Sequence, residues 1–205
     1  MKLHKYNNYE EYKNFQYKGI VNHHSVEDNL NYEWVQKEDI EHIKHKIIKP
    51  YCELHNIKLT RGICHGAKLG KENQWFQEAL GFPFIGTDLS IKSNPDMQLI
   101  QWDFHDYLDI WIGLFDVIYS NALDHSYDPI LALKNWGKCL TSKGMVILEH
   151  TQFHEESNEI DPFGASYEEY LEIIQDCNFT VISKTKLTSN HPKNFIAFTK
   201  EKETI

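Results

Sequence analysis

The sequence predicts an α/β fold: a doubly wound, mostly parallel seven-stranded sheet with an antiparallel C-terminal edge hairpin and a helical N-terminal extension. Three observations carry this expectation. From residue 57 onward, short β-branched and aromatic runs alternate with segments of helical period. Three successive strand-like runs deliver a carboxylate at or just beyond their ends, at Asp88, Asp103 and Asp124. The last two runs are joined by Thr188-Ser189-Asn190-His191-Pro192, too short for a helical crossover, so they read as antiparallel neighbours.

Residues 1 to about 30 are polar and weakly periodic, and no element is assigned there. From residue 32 to about 54 the spacing of Trp34, Val35, Ile40, Ile43, Ile47 and Ile48 predicts an amphipathic helix, bent or ended by Pro50. Residues 57–64 read as a strand that turns at His65-Gly66. Residues 71–80 read as a helix with Trp75, Phe76, Ala79 and Leu80 on one face, closed by Gly81. Strands follow at 82–87, 97–102 and 115–120. Pro129 suits the first turn of a helix running to about 140. Lys143-Gly144 then turns the chain into a strand at 145–149. A helix at 167–176 precedes strands at 179–187 and 194–200. The organisation expected is a helical extension or cover at 1–55 and a ligand-binding domain at 56–205.

Composition narrows the partners. A net charge of -9 argues against a broad grip on nucleic acid or on an anionic membrane. The four cysteines are scattered without a C-x-x-C pair, which favours reduced thiols. The N-terminus leads into polar sequence, and no apolar run approaches spanning length. A cytoplasmic protein is expected.

In open parallel sheets, ligands collect at the carboxyl ends of the strands. Asp88 lies where a nucleotide-binding sheet places an acid for ribose hydroxyls, since a carboxylate accepts from both oxygens of a cis-diol. Asp103-Phe104 offers an acceptor and an apolar face to a base. A strand-end Asp also suits a helix cap, so both readings stand. The run from Phe115 to His125 is a buried strand that ends in Ser120, Asn121, Asp124 and His125. His125 is a candidate base, because imidazole titrates near neutrality and Asp124 or Asp128 can orient it; a structural hydrogen bond in the loop before Pro129 is the alternative. His150 and His154 are second candidates. Twelve histidines are present, but no H-E-x-x-H or paired Cys/His spacing, and no metal is expected. A phosphate-binding G-x-x-x-x-G-K-[ST] loop is absent too.

Over roughly residues 57 to 200 the chain resembles class I S-adenosylmethionine-dependent methyltransferases. The resemblance is carried by Gly62-Ile63-Cys64-His65-Gly66, Ile85-Gly86-Thr87-Asp88-Leu89-Ser90 and Trp102-Asp103-Phe104-His105. It continues through Phe115–His125 and through Lys143-Gly144-Met145-Val146-Ile147-Leu148-Glu149-His150. The first motif departs from the family, with Arg61-Gly62-Ile63-Cys64-His65-Gly66 in place of an acidic residue and G-x-G. The resemblance implies S-adenosylmethionine as cofactor, held by His65, Gly66, Asp88, Leu89, Asp103 and Phe104. Tyr119, Ser120 and Asn121 would line its methionine part and the sulfonium, with Arg61 or Lys68 as partner of its carboxylate. It implies methyl transfer with Asp124 and His125 facing the acceptor, expected to be a hydroxyl of a small molecule or carbohydrate. The absence of N/D-P-P-Y/F after the fourth strand points away from nucleobase methylation. The irregular first turn leaves a non-catalytic binding module as the alternative, and the position of Asp88 alone also fits a dinucleotide or nucleotide-sugar enzyme.

Overall fold

The computed structural model describes residues 1–24, 34–90, 92–188 and 191–201. In chain order the elements are β1 (Lys2–Leu3), α1 (Tyr9–His24), α2 (Lys37–Ile43), α3 (Lys49–His55), β2 (Gly62–His65) and α4 (Lys71–Leu80). These are followed by β3 (Phe84–Asp88), β4 (Leu99–Gln101), β5 (Phe115–Ser120), α5 (Pro129–Cys139) and β6 (Leu140–His150). β7 (Phe163–Gly164), α6 (Tyr167–Asp176), β8 (Phe179–Leu187) and β9 (Lys193–Lys200) complete the chain.

Seven strands form one sheet in the order β4-β3-β2-β5-β6-β9-β8, with β4, β3, β2, β5 and β6 parallel and β9 antiparallel between β6 and β8. The order reverses at β2, between β3 and β5, and a crevice at their carboxyl ends follows from that reversal. The expected sheet is therefore present, with its C-terminal hairpin docked through its second strand. β1 and β7 make a separate two-stranded pair.

Each face of the sheet is covered. Ile63, Ile118, Val146 and Ile196 pack with α5 and α6 residues such as Trp136, Tyr170 and Ile174. Cys64, Val117, Tyr119 and Ile147 pack instead under Ile40, Ile43, Ile47 and Phe76. Helical period in α2, the turn that follows it and α4 thus meets strand alternation in the sheet in one apolar layer on this face.

Several boundaries differ from those expected, each for a local reason. The strand expected at 57–64 begins only at Gly62, because the amides of Thr60 and Arg61 donate to Asp116 Oδ2 (2.6 and 3.3 Å) instead of to a ladder. β3 starts after Pro83, which has no N–H to give. β6 starts at Leu140, so Lys143-Gly144 lies within the strand, where a Cβ on Gly144 would meet Phe115 O at 2.8 Å. The helix expected from 32 to 54 starts at Lys37, Tyr32 lying outside the described residues. It passes Pro50 through a π-helical turn at Lys44–Ile48, in which Lys49 N–H donates to Lys44 O. That turn absorbs the missing proline donor.

α1 is the element that hydrophobic periodicity does not reveal. Its buried positions are Tyr12, Gln16 and Gly19, a helical spacing filled by an aromatic, an amide and a glycine.

Candidate active site

A cavity of about 400 Å³ opens at the carboxyl ends of β2, β3 and β5, under α1 and Trp34. Its floor is the first turn. His65, at the end of β2, is buried with Nδ1 2.8 Å from Thr87 Oγ1 and its ring stacked on Trp136 at 4.9 Å. Burial pushes its pKa down to about 3 against the pull of Asp103. Gly66 follows at φ +75°, and a Cβ there would lie 2.4 Å from Ala122 Cβ, so the β2 and β5 turns can approach only through a glycine. Lys68 is itself left-handed at φ +47°. Its amide donates to Asp88 Oδ2 (3.0 Å), while Ser90 N–H donates to Asp88 Oδ1 (2.9 Å). Asp88 thus ties the turns after β2 and β3 together.

Asp103, after β4, is held as firmly. Its Oδ1 lies 2.6 Å from His105 Nδ1 and accepts from His105 N–H at 2.9 Å; its Oδ2 accepts from Tyr9 Oη–H at 2.8 Å. Burial raises its pKa, but the hydrogen bonds and charge of His105 outweigh this and keep it below the ordinary value. His105 is anchored in turn by Ser126 Oγ at 2.7 Å and by stacking on Tyr127 at 3.9 Å.

The other end of the cavity is built from the loops after β5 and β6. Asp124 and His125 sit in a single 3₁₀ turn, Leu123–His125. His125 Nδ1 lies 3.1 Å from Ile160 O and from Gln16 Oε1, and 3.5 Å from Asp161 Oδ1. Because the Ile160 carbonyl can only accept, Nδ1 carries the hydrogen and the neutral ring keeps its lone pair on Nε2. Burial lowers the pKa of His125, yet Asp124 and Asp161 raise it further, and the net shift is upward. Asn158 Oδ1 accepts from the amides of Ile160 and Asp161 (2.7 and 2.9 Å) and shapes the loop that presents Asp161. α1 closes over this end: Tyr12 Oη–H donates to His125 O (3.2 Å) and Gln16 Nε2 to Ile160 O (2.7 Å). Trp34 is fixed by its indole N–H to Glu149, and Lys193 pairs with Asp39 at 2.6 Å and lies 3.5 Å from Glu149.

The expected site residues divide accordingly. Gly66, Asp88, Leu89, Asp103, Phe104, Asn121, Asp124 and His125 all line the cavity. His65, Tyr119 and Ser120 lie beneath it. Tyr119 donates to Glu149 Oε2 at 3.0 Å and packs on Phe76; Ser120 donates to His65 O at 2.9 Å. Of the two basic candidates, Arg61 is exposed at the amino end of β2, away from the cavity, whereas Lys68 lines it. His150 sits behind the wall, with Nε2 3.0 Å from Ala165 O, while His154 and Asp161 reach the cavity. Tyr12, Gln16, Gly19, Glu72 and Ile160 also line it with no motif to mark them, and Val35, expected as a helix residue, lines it as well. The only sequence signal for the α1 residues is their i, i+4, i+7 spacing.

Neither a family model nor a curated protein matches the sequence. Solved structures do match the fold. A 1,6-didemethyltoxoflavin-N1-methyltransferase from Burkholderia thailandensis, with bound 1,6-didemethyltoxoflavin and S-adenosylhomocysteine, superposes with a TM-score of 0.67 at 15% identity, covering 97% of this chain and 93% of its own. A TehB-like SAM-dependent methyltransferase from Corynebacterium glutamicum gives 0.56 at 12%, covering 90% and 98%. The glycopeptide N-methyltransferase MtfA complexed with sinefungin gives 0.56 at 12%, covering 75% and 85%. With its switch point at β2 and its reversed β9, the chain has the class I S-adenosylmethionine-dependent methyltransferase fold.

Proposed function

We propose that the protein is an S-adenosylmethionine-dependent methyltransferase acting on a hydroxyl of a small molecule or glycan. The observation that carries the reading is the pair of strand-end carboxylates, Asp88 and Asp103, in one cavity at the switch point of this fold. The cavity fits the cofactor in size and charge. Its volume of about 400 Å³ falls in the ordinary ligand range, and Glu72, Asp88, Asp103, Asp124 and Asp161 suit a molecule bearing a sulfonium and an ammonium. S-adenosylmethionine supplies an activated methyl group for in-line displacement.

The chain's own residues align and shield that chemistry. Gly66 gives the backbone close approach, Asp88 accepts from ribose hydroxyls, and Asp103 with Phe104 frames the base. Asn121 and Lys68 border the amino-acid part. Asp124 and His125 face the acceptor, with His125 serving as base through Nε2 or as a group that positions the hydroxyl. Residues 1–55 act as the cover and 56–205 as the cofactor-binding domain, an assignment supported by α1 lining the cavity. A reducing cytoplasmic setting is supported by four free thiols, and the net charge of -9 supports a small rather than polyanionic acceptor. Among the described residues no helix is long and apolar enough to cross a membrane.

One observation favours a second reading, a cofactor-binding module without transfer: Lys68 brings a side chain into the first turn in a left-handed conformation. Calorimetry and thermal shift separate the two. S-adenosylmethionine and S-adenosylhomocysteine should each stabilise the fold, by about 2.7 kcal/mol at a hundredfold excess over Kd, and NAD should not. No response to either adenosyl ligand overturns the methyltransferase reading. Tight binding with no transfer to an acceptor panel selects the module.

A further inference from the structure

We propose that Asp124, His125 and Asp161, with His154 alongside, form a binding site for a divalent transition-metal ion at the acceptor end of the cavity. Its chemical role rests on the methyl-transfer reading; its existence does not.

One carboxylate oxygen from each of Asp124 and Asp161 and one ring nitrogen of His125 lie within 4.8 Å of one another. They come from two loops, one after β5 and one between β6 and β7, so no sequence spacing announces them. Convergence alone would be only a polar cluster. What points to a ligand is the state of its buried members. Asp124 is 8% exposed, and its Oδ1 has no hydrogen-bond partner. Its other oxygen is 3.8 Å from His154 Nε2, beyond hydrogen-bonding distance. His154 is 5% exposed, and its Nδ1 is also without a partner. Both residues line the cavity.

A buried carboxylate left unsatisfied is costly, and two carboxylates held this close repel each other. A Lys or Arg beside them would remove both costs. Among the described residues lining the cavity the only such cation is Lys68, which belongs to the first turn. A divalent ion answers the same need. Two carboxylates with one or two imidazoles form a mixed oxygen and nitrogen set, which suits Mn²⁺, Fe²⁺ or Zn²⁺ better than the all-oxygen preference of Ca²⁺ or Mg²⁺. Asn158 shapes the Asp161 loop and Ile160 O holds the His125 ring, the kind of outer contact that orients a ligating imidazole. At this position the ion would supply a Lewis-acidic point for the acceptor's oxygen, making His125 a positioning residue and not a base.

The test uses the full-length, tag-free protein, stripped with a chelator and desalted. Mn²⁺ alone is titrated and free Mn²⁺ is read by electron paramagnetic resonance, with Zn²⁺ and Mg²⁺ compared by calorimetry. Saturable uptake of one ion per chain is expected, with Mg²⁺ weaker than Mn²⁺. Asp161→Asn, which keeps an oxygen to accept from Asn158 Nδ2 (3.0 Å), should weaken Mn²⁺ binding roughly tenfold or more, as should Asp124→Asn. Asp106→Asn, an exposed acid outside the cluster, should leave it unchanged. Absence of saturable binding, or binding undiminished in Asp161→Asn, overturns the site. S-adenosylhomocysteine is titrated into the same metal-free sample. Binding of that ligand without Mn²⁺ uptake removes the metal site and keeps the methyltransferase reading; Mn²⁺ uptake without it does the reverse.

Discussion

The two ends of the cavity are built from the same residue types and treat them differently. At the end under β3 and β4, Asp88 and Asp103 have each carboxylate oxygen engaged, by the amides of Lys68 and Ser90 in one case and by His105 and Tyr9 in the other. At the end under β5 and β6, Asp124 Oδ1 and His154 Nδ1 are buried without partners. Saturated carboxylates make a rigid frame that is in place before a ligand arrives, whereas unsatisfied ones are stable only if something completes them. On the proposed reading the first end is a fixed receptor for the cofactor, and the second end is where acceptor specificity would reside.

Breaking the second end should have the larger effect. His125→Ala is expected to lower turnover by roughly 10²- to 10⁴-fold, with affinity for S-adenosylhomocysteine unchanged in calorimetry, because on the proposed reading the ring faces the acceptor. Full activity in that variant would move the chemistry off the β5 loop. Next in size is the join between the ends. Gly66→Ala combines a left-handed backbone with a Cβ 2.4 Å from Ala122 Cβ. Strain of about 1–3 kcal/mol should weaken cofactor binding by one to two orders of magnitude. Adding Ala122→Gly removes the collision but not the backbone strain, so rescue should be partial. Complete rescue would show that φ at Gly66 carries no cost.

The first end was the more legible in sequence, and the contrast explains why. Asp88, Asp103 and Phe104 lie at the ends of consecutive strands, so locating the strands also locates them. Phe115–Ser120, Lys71–Leu80, Tyr167–Asp176 and Phe179–Leu187 have the bounds that the sequence pattern predicts, the first as a continuous apolar run buried on both faces and the two helices through one apolar face each. What escaped were contacts made by polar groups at long separation. α1 buries Gln16 and Gly19 in place of leucines, and the Asp116 carboxylate holds back the start of β2 from 55 residues away. The convergence of Asp124 with Asp161 likewise depends on where two loops fold, which no local spacing encodes. Tyr119 and Ser120 show the converse: both are fully buried, Tyr119 packed on Phe76 and bonded to Glu149, Ser120 tied to His65 O, so neither side chain lines the cavity.

The floor of the rigid end gives a pH prediction. His65 is buried with a pKa of about 3, below the 6.5 of an unfolded chain. The unfolded state therefore binds more protons between these values, and stability falls as pH drops from 6.5 toward 3. The slope should approach 1.4 kcal/mol per pH unit from this residue, with no contribution above pH 7. His65→Phe should flatten that part of the profile, measured as urea unfolding against pH, while losing the hydrogen bond to Thr87. An unchanged slope would mean that His65 titrates freely in the folded protein.

The smallest effect belongs to Tyr9, the only α1 side chain bonded to the rigid end's carboxylates among the described residues. Tyr9→Phe removes one donor from Asp103 and leaves the two from His105, at a cost of about 1 kcal/mol for a part-buried hydrogen bond. Asp103 is held below its ordinary pKa, so the stability it contributes is present above the unfolded value and is lost as pH falls through the folded one. Losing Tyr9 should move the folded value up and shrink that contribution. The variant should differ from wild type in urea midpoint at pH 7 and converge with it in acid. If α1 were held chiefly at the acceptor end, by Tyr12 on His125 and Gln16 on Ile160, the variant would keep α1 protected from hydrogen exchange while Asp103 alone shifted. Loss of that protection along the whole helix would instead make the Asp103 contact the anchor of the cover, and the rigid end would then govern access to both ends.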